Sequence, residues 1–407
     1  VDIEDDIAKE VPRYGETRRI ISHHNFDETP DDLEEIHERM CDLDPDIIKL
    51  VTMANRPEDS VRLLKLVASS EIPTIGFCMG ELGLASRLLC GKYGSPFTYA
   101  TFSSERTLAP GQLSFEEMTE TYHFDRIGAD TRVFGVLGDP LGHSLSPLIH
   151  NAAFDADGVN AVYLPFRVPA DGLKETLRAF EWLEINGYSV TIPHKESVLE
   201  LATSRDTTVE HLGAANTLCR DGDQGWLASN TDMPAAIATL QLALESDTPS
   251  RSLRGSKCLV LGAGGAARAI AGGLVEAGAV VTVSGRTRPR ANALAVELGC
   301  QETGWENRGA QFADVLINCT PVGMHPRVDE SPFQPQWLGE KTLVFDTVYN
   351  PENTLLIKQA RERGCPTVSG IEMFVRQAAL QYKQFTGQMA PLEVMRETLR
   401  RGISAVH

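Results

Sequence analysis

The stretch that most narrows how this chain can fold is Lys257-Cys258-Leu259-Val260-Leu261, which runs into Gly262-Ala263-Gly264-Gly265-Ala266-Ala267. A short apolar run bounded by glycines reads as a buried strand, and the residues after the turn open a helix. The pattern fits G-x-G-x-x-A in the strand–turn–helix context that gives it meaning. The glycines allow a tight turn and let the backbone approach a pyrophosphate at the helix N-terminus. The next strand, Ala279–Ser284, falls where a βαβ unit demands it. Such a unit imposes a parallel sheet with crossover helices and so an α/β architecture. Gly262, Ala263, Gly264, Gly265 and Ala266 are therefore candidate dinucleotide contacts.

The end of that second strand selects the cofactor. An NAD site takes an Asp or Glu there, whereas this chain reads Ser284-Gly285-Arg286-Thr287-Arg288-Pro289-Arg290. Clustered guanidinium groups suit a 2′-phosphate, which they bind as a fork. The bland alternative is a solvated basic turn. In a chain with a formal net charge of −18, so local a basic cluster favours NADP, with Arg286, Thr287 and Arg290 as contacts.

The same acidic balance argues against a nucleic-acid surface. It also requires any anionic ligand to be met by local positive charge. A length of 407 residues supports two or three domains. The eight cysteines are scattered without a C-x-x-C pair or Cys/His zinc spacing, so no metal is expected and the thiols read as reduced, in a cytoplasmic protein. No apolar run reaches membrane-spanning length; Gly273–Val283 comes nearest and is interrupted by Glu276. The opening Val-Asp-Ile-Glu-Asp-Asp is the opposite of a signal peptide.

Chemistry-bearing residues cluster upstream of the glycine turn. Gly187-Tyr188-Ser189-Val190-Thr191-Ile192-Pro193-His194-Lys195 reads as a strand that stops at a proline and delivers a cation to the rim of a sheet. That rim is where open α/β sheets bind ligands. Ser144 and Ser146 precede a helix that starts near Pro147, so two hydroxyls and helix N–H groups could meet a carboxylate, although serine is also a common N-cap. Asn216 and Asp232 follow short apolar runs in polar surroundings, and each could be a plain turn residue.

Residues 1–127 alternate strand and helix patterns. Strands are expected at Val1–Glu4, Arg19–His23, Asp46–Met53, Pro73–Met79 and Pro96–Phe102. Helices are expected after Thr29-Pro30, an N-cap followed by proline at the first helical position, with Leu33, Ile36, Met40 and Leu43 in phase, and after Pro57, with Val61, Leu64 and Val67 in phase. The result is a parallel sheet, open or closed into a β/α barrel. Lys49 sits within an otherwise apolar run, and His23-His24 end the preceding strand. The polar stretch Phe124–Thr131 is the expected joint to the rest of the chain.

Ser22-His23-His24-Asn25-Phe26-Asp27-Glu28-Thr29-Pro30, Asp46-Ile47-Ile48-Lys49, Ser86-Arg87-Leu88 and Ala109-Pro110-Gly111-Gln112 resemble the second half of a type I 3-dehydroquinate dehydratase. That family is a (β/α)8 barrel that forms a Schiff base with 3-dehydroquinate. The resemblance implies Lys49 as the Schiff-base lysine and His24 as the acid/base. It implies Arg87 as the carboxylate ligand and Gln112 as a hydroxyl ligand. An iminium acidifies the adjacent carbon for elimination. Leu108 stands where the family has serine, and five strands are expected where the barrel has eight. The family's early strands, which carry an arginine and carboxylates, are expected to be without counterpart. The segment then reads as part of a longer chain or as an incomplete barrel remnant, whose open edge is expected to be covered by a partner, as in a homodimer, or to be partly disordered.

Residues 133–407 resemble shikimate dehydrogenase. The matching motifs are His143-Ser144-Leu145-Ser146-Pro147, Thr191–Lys195, Gly213–Thr217, Asn230-Thr231-Asp232, Gly262–Ala267, Asn318–Met324, Asp346–Pro351 and Gly370–Met373 leading to Gln377. The resemblance implies Lys195 and Asp232 as a catalytic dyad, and Ser144 and Ser146 on the substrate carboxylate. It implies Thr191, Asn216, Tyr349 and Gln377 on the ring hydroxyls, and Thr347 and Gly370 at the nicotinamide. Ser189 and Gly285 stand where many members have Asn. The implied fold is an incomplete barrel segment (1–127), then a two-lobed α/β enzyme. Its substrate-binding domain spans 131–233 and is completed by 371–407, and its Rossmann-like NADP-binding domain spans 234–370. The implied activity is NADPH-dependent reduction of 3-dehydroshikimate to shikimate, fused to a 3-dehydroquinate dehydratase. The competing expectation is a quinate/shikimate dehydrogenase that uses NAD, with 1–127 a docking or dimerisation module.

Overall fold

Alternation of apolar and polar residues decides the first sheet. The computed structural model describes residues 1–102, 111–142, 144–222, 225–247 and 251–404. They form two compact units, Val1–His194 and Lys195–His407. The first unit begins with β1 (Asp2–Glu4), β2 (Ile20–Asn25), α1 (Leu33–Cys41), β3 (Ile47–Met53), α2 (Glu58–Ser69), β4 (Thr74–Met79) and α3 (Leu84–Leu89). The four strands pair in parallel, in chain order. Their register aligns Glu4 with Ser22, Ser22 with Lys49 and Val51 with Phe77, which sorts the side chains onto two faces. On one face Ile3, Ile21, Ile48 and Leu50 pack with Leu33, Ile36 and Met40 of α1 and with Leu63 and Leu66 of α2. The other face carries Asp2, Glu4, Ser22, His24 and Lys49 beside Val51 and Phe77.

Two local expectations need correction. Pro96–Phe102 forms no strand; it makes a single bridge, Thr101 to Ser114. The edge of β4 is met instead by a side chain, because Ser95 Oγ donates to Thr74 O at 3.0 Å and accepts from Gly76 N at 3.4 Å. Thr29 is not the cap of α1, which begins three residues after Pro30. The Thr29 hydroxyl is engaged by Met53 O at 2.9 Å and Thr52 Oγ1 at 2.7 Å.

The unit continues with β5 (Arg132–Gly138), α4 (Ser146–Ala156), β6 (Ala161–Arg167), α5 (Leu173–Phe180) and β7 (Ile185–Val190). β5 lies between β6 and β7, and all three are parallel. The two sheets of this unit are tied together. Tyr93 stacks on Trp182 with centroids 4.6 Å apart, and its hydroxyl donates to Leu183 O at 3.1 Å. Thr176 Oγ1 donates to Glu58 Oε1 at 2.6 Å, and Arg126 pairs with Asp155 at 2.5 Å.

The second unit begins with β8 (Ser204–Arg205), α6 (Thr207–Leu212), β9 (Thr217–Arg220), β10 (Trp226–Ser229) and α7 (Asp232–Asp247). β10 pairs with β9 antiparallel and with β8 in parallel. Then come β11 (Lys257–Leu261), α8 (Gly265–Glu276), β12 (Val280–Ser284), α9 (Arg288–Leu298), β13 (Gln301–Glu302), β14 (Val315–Asn318), β15 (Leu343–Asp346), α10 (Leu355–Glu362), β16 (Thr367–Val368), α11 (Gly370–Thr386) and α12 (Leu392–Ser404). The six strands from β11 onward are parallel in the order β13-β12-β11-β14-β15-β16. This is the doubly wound dinucleotide-binding order, with its crevice where the order reverses, between β11 and β14. The buried strands pack Val260, Val283, Ile317 and Phe345 against Ala267, Ile270 and Leu274 of α8.

Candidate active sites

Lys195 and Asp232 meet within the second unit. Lys195 Nζ donates to Asp232 Oδ2 at 2.5 Å, with the side chains 19% and 11% exposed. Asp232 is the first residue of α7, and Asn230 holds that helix start by accepting from Asp232 N at 3.0 Å and Met233 N at 3.2 Å. The other carboxylate oxygen, Oδ1, accepts from Asn216 Nδ2 at 2.9 Å. Asn216 is itself fixed: its Oδ1 accepts from Thr231 N at 2.8 Å and from Thr217 Oγ1 at 2.9 Å. Gln381 of α11 adds support that the sequence reading missed, donating to Asn216 O and Thr217 Oγ1, both at 3.0 Å. Its signal was its place one helical turn beyond Gln377.

The dyad lies beside the glycine turn. A Cβ built on Gly265 would sit 3.4 Å from Lys195 Cδ. Gly262 has φ +122°, and a Cβ there would press on Cys319 O at 2.9 Å, so the turn requires glycine. A Cβ on Gly264 would meet no protein atom within 4 Å, which leaves open space over the N-terminus of α8, with Ala263 and Ala266 flanking it. The buried Ser284 hydroxyl, at the end of β12, has no hydrogen-bond partner among the described residues. Gly285 packs beside the turn, its Cβ position 3.5 Å from Ala263 Cβ. Arg286, Thr287 and Arg290 are exposed at the start of α9. Arg288 pairs with Glu302 at 3.4 Å, so one arginine of the cluster already faces a carboxylate. Open space at the helix N-terminus, an orphaned hydroxyl and the exposed guanidinium groups fit a phosphorylated dinucleotide.

A buried polar cluster at the ends of β14 and β15 also escaped the sequence reading. Asp346 accepts from Thr354 Oγ1 at 2.6 Å, Val348 N at 3.0 Å and Asn318 Nδ2 at 2.9 Å. Burial pushes its carboxyl up to about 6, against the pull of those three donors. Thr347 donates to Asn318 O through both N, at 3.0 Å, and Oγ1, at 2.8 Å. A Cβ on Gly370 would lie 2.5 Å from Thr347 O and from Val348 O, so only glycine lets α11 start there. Tyr349 packs on Phe374 with centroids 4.4 Å apart, and burial raises its phenol. Gln377 Nε2 donates to Phe374 O at 2.9 Å, which places it one turn from Gln381 on α11.

In the first unit, Ser144 Oγ accepts from Ser146 N at 3.4 Å at the start of α4; His143 lies outside the described residues. Ser146 neighbours the buried Tyr163, whose hydroxyl donates to Ser189 Oγ at 2.6 Å. Thr191 follows β7, and its methyl lies against Gly138, where a Cβ would come within 2.4 Å.

The polar face of the first sheet brings His24 and Lys49 together with carboxylates. Lys49 Nζ donates to Asp2 Oδ2 at 3.0 Å and lies 4.6 Å from the Tyr99 ring centroid. His24 Nδ1 lies 2.7 Å from Glu4 Oε1. Burial raises the Asp2 carboxyl, but bonds from Ser22 and Lys49 outweigh it and hold the group below its ordinary value. Asp2 and Glu4, spaced i, i+2 on β1, thus set two carboxylates beside Lys49 and His24, a pairing the sequence reading did not single out. Arg87 is buried over the Phe77 ring, 4.0 Å from its centroid, and donates to Tyr99 O at 3.1 Å. Burial lowers it to about 10, and no carboxylate pairs with it among the described residues. Gln112 follows Gly111, whose φ is +69° and whose Cβ position is 2.5 Å from Gly80 O. Leu108, Ala109 and Pro110 lie outside the described residues.

Comparison with known proteins divides the chain between residues 129 and 136, not at the boundary of the two compact units. The type I 3-dehydroquinase family profile matches residues 1–129, and the shikimate dehydrogenase substrate binding domain matches 136–218. The shikimate 5'-dehydrogenase C-terminal domain matches 370–400, and an NADP oxidoreductase, coenzyme F420-dependent, profile matches 257–346. The bifunctional 3-dehydroquinate dehydratase/shikimate dehydrogenase, chloroplastic, of Arabidopsis thaliana is 39% identical over 97% of this chain and 68% of its own length. A shikimate dehydrogenase (NADP(+)) of Methanosarcina mazei is 41% identical over 67% of this chain and 99% of its own. Among solved structures, shikimate 5-dehydrogenase from Thermus thermophilus in complex with NADP(H) and shikimate aligns with TM-score 0.60 and 33% identity, covering 67% of this chain and all of that one. A quinate dehydrogenase from Corynebacterium glutamicum in complex with NAD aligns with TM-score 0.58 and 32% identity, covering 66% of this chain and 98% of that one.

Proposed function

The chain belongs to the shikimate dehydrogenase family and carries a type I 3-dehydroquinase segment at its front, and from that premise we propose that it reduces 3-dehydroshikimate to shikimate with NADPH, using Lys195 and Asp232 as its acid–base pair. The observation that carries this reading is the 2.5 Å contact between Lys195 and Asp232, with the lysine chain lying against Gly265 of the glycine turn.

A dinucleotide held at Gly262–Ala266 would supply the hydride for the substrate ketone. Lys195 stabilises the oxygen as negative charge develops on it and delivers the proton; Asp232 orients the ammonium group and shares the proton. Asn216 keeps the Asp232 carboxylate turned toward Lys195. Ser144 and Ser146 bind the substrate carboxylate, while Thr191, Tyr349 and Gln377 hold the ring hydroxyls; Asn216, expected there too, has its amide committed to Asp232, Thr231 and Thr217. Thr347 and Gly370 line the nicotinamide pocket. Arg286 and Arg290, with Thr287, take the 2′-phosphate, a role supported by the absence of a carboxylate at the end of β12. The dehydrogenase then divides into a substrate domain, 131–233 with 371–407, and a cofactor domain, 234–370.

For the front sheet, residues 1–127, we infer 3-dehydroquinate dehydration, with Lys49 as Schiff-base nucleophile, His24 as acid/base, and Arg87 and Gln112 on the substrate. The buried, carboxylate-free Arg87 supports an anionic ligand there. Eight free thiols suit a reducing compartment such as the cytoplasm; the Arabidopsis relative is named chloroplastic. Among the described residues no helix is long and apolar enough to cross a membrane.

A panel of shikimate and quinate against NADP and NAD tests the dehydrogenase. Shikimate with NADP should give the highest kcat/KM, and a preference for quinate with NAD would replace this reading with the quinate enzyme. Borohydride reduction in the presence of dehydroquinate tests the front sheet. A covalent adduct that disappears in Lys49→Ala is expected, and its absence from the parent protein would leave that sheet a binding module.

A further inference from the structure

The loop proposed to bind the substrate carboxylate starts at Asp139 and ends at Ser146. Its first residue is held from two directions. Asp139 N donates to Ile192 O at 2.9 Å, which ties the loop to the turn that carries Thr191. The Asp139 carboxylate accepts from Arg167 Nε at 2.7 Å. Arg167 is the last residue of β6, and the β5–β6 register sets it opposite Gly138, the residue just before Asp139. The arginine does not end there. Its Nη1 donates to Glu81 Oε2 at 2.5 Å, and Glu81 follows β4 in the front sheet. The neighbouring Gly80 is the residue against which Gly111 packs.

We propose that Glu81 and Arg167 are positioning residues of the dehydrogenase, so that the front sheet supplies part of the support for the carboxylate-binding loop. The inference rests on the reading that Ser144 and Ser146 hold the substrate carboxylate. A guanidinium group presents its donors as a rigid fork. Held by Asp139 alone, it swings about a single hydrogen bond. Held by Glu81 as well, its plane is fixed, and Asp139 is fixed with it. The second anchor is itself firm, because the Tyr93–Trp182 stack and the Thr176–Glu58 hydrogen bond join the two sheets of this unit. Burial of the Arg167 side chain is partial, at 37% exposure, and Glu81 is 61% exposed, so the contribution is that of a screened ion pair. The front sheet is then neither a detachable module nor a passenger of the dehydrogenase.

The test is steady-state kinetics of shikimate oxidation on the full chain, comparing parent, Glu81→Gln, Arg167→Lys and the double variant. Glu81→Gln should raise KM for shikimate about two- to fivefold, the range an exposed ion pair supports, while kcat and the KM for NADP stay at parental values. Arg167→Lys keeps the charge but loses the fork, and should raise the same KM. The double variant should be no worse than the poorer single variant, since both break one chain of contacts. A parental KM in Glu81→Gln overturns the proposal, as do additive effects or a lowered melting temperature with unchanged KM. A parent enzyme that does not oxidise shikimate overturns the functional reading and this proposal together. A competent parent with an indifferent Glu81→Gln overturns this proposal alone.

Discussion

Asn216→Ala removes the side chain on which the dyad is built. Asn216 is 2% exposed and makes its contacts inward, to Asp232 Oδ1, the Thr231 amide and hydroxyl, and the Thr217 hydroxyl. Truncation orphans the buried Thr231 N–H, at about 1–3 kcal/mol, and takes a charge-assisted donor from Asp232, at about 1.5–3 kcal/mol. These terms overlap, because both groups belong to one network. The expected loss of stability is on the order of 3–4 kcal/mol, read by urea unfolding at pH 7. Catalysis should fall as well, because the released carboxylate no longer holds Lys195 in one place. Asn216→Asp is the informative contrast. It keeps the acceptor but sets a second carboxylate oxygen 2.9 Å from Asp232, where two like charges cannot both ionise freely. Its pH–rate profile should gain a limb at higher pH that the alanine variant lacks. An alanine variant within 1 kcal/mol of the parent with parental kcat would refute the reasoning, since it would mean that Asp232 is oriented without Asn216.

Two further outcomes follow from other parts of the molecule. Arg286→Ala should raise KM for NADP by tenfold or more and leave that for NAD nearly unchanged, because only NADP carries the 2′-phosphate; equal effects on both would make the basic turn a solvated surface feature. Asp346 binds its proton more tightly folded, at about 6, than at its ordinary 3.8. It therefore stabilises the fold fully below the unfolded value, and that contribution is lost as the pH rises through about 6. Asp346→Asn should flatten this decline, and its stability relative to the parent should improve by roughly 2–3 kcal/mol between pH 4 and 7; parallel profiles would contradict the assignment.

What was legible in the sequence was local. The glycine turn at 262–267 declares itself because strand, turn and helix are contiguous. The order of the six strands around it depends on pairings between distant segments, which no window of sequence contains. Lys195, Asn216 and Asp232 each sit in a recognisable motif, but their mutual bonds arise only when the Gly213–Thr217 and Asn230–Asp232 turns interlock. Asn318 and Asp346 went unassigned as partners although each ends an apolar run, because a polar residue at a strand end reads equally well as solvated. The strand expected at Pro96–Phe102 failed because a single hydroxyl, Ser95 Oγ, takes up the β4 edge that a strand would have used. Arg288 shares the basic turn with Arg286 and Arg290, yet β13 brings Glu302 beside it, a pairing between distant segments.

The measurement that bears most directly on the account is the turnover of shikimate and NADP by Lys195→Ala at the parental pH optimum. General acid–base assistance is worth roughly 100- to 10,000-fold. The account predicts a fall in kcat of at least that lower figure with KM for NADP unchanged, since the role proposed for Lys195 is at the reacting oxygen and not at the cofactor phosphates. A variant that turns over within a few fold of the parent would contradict it.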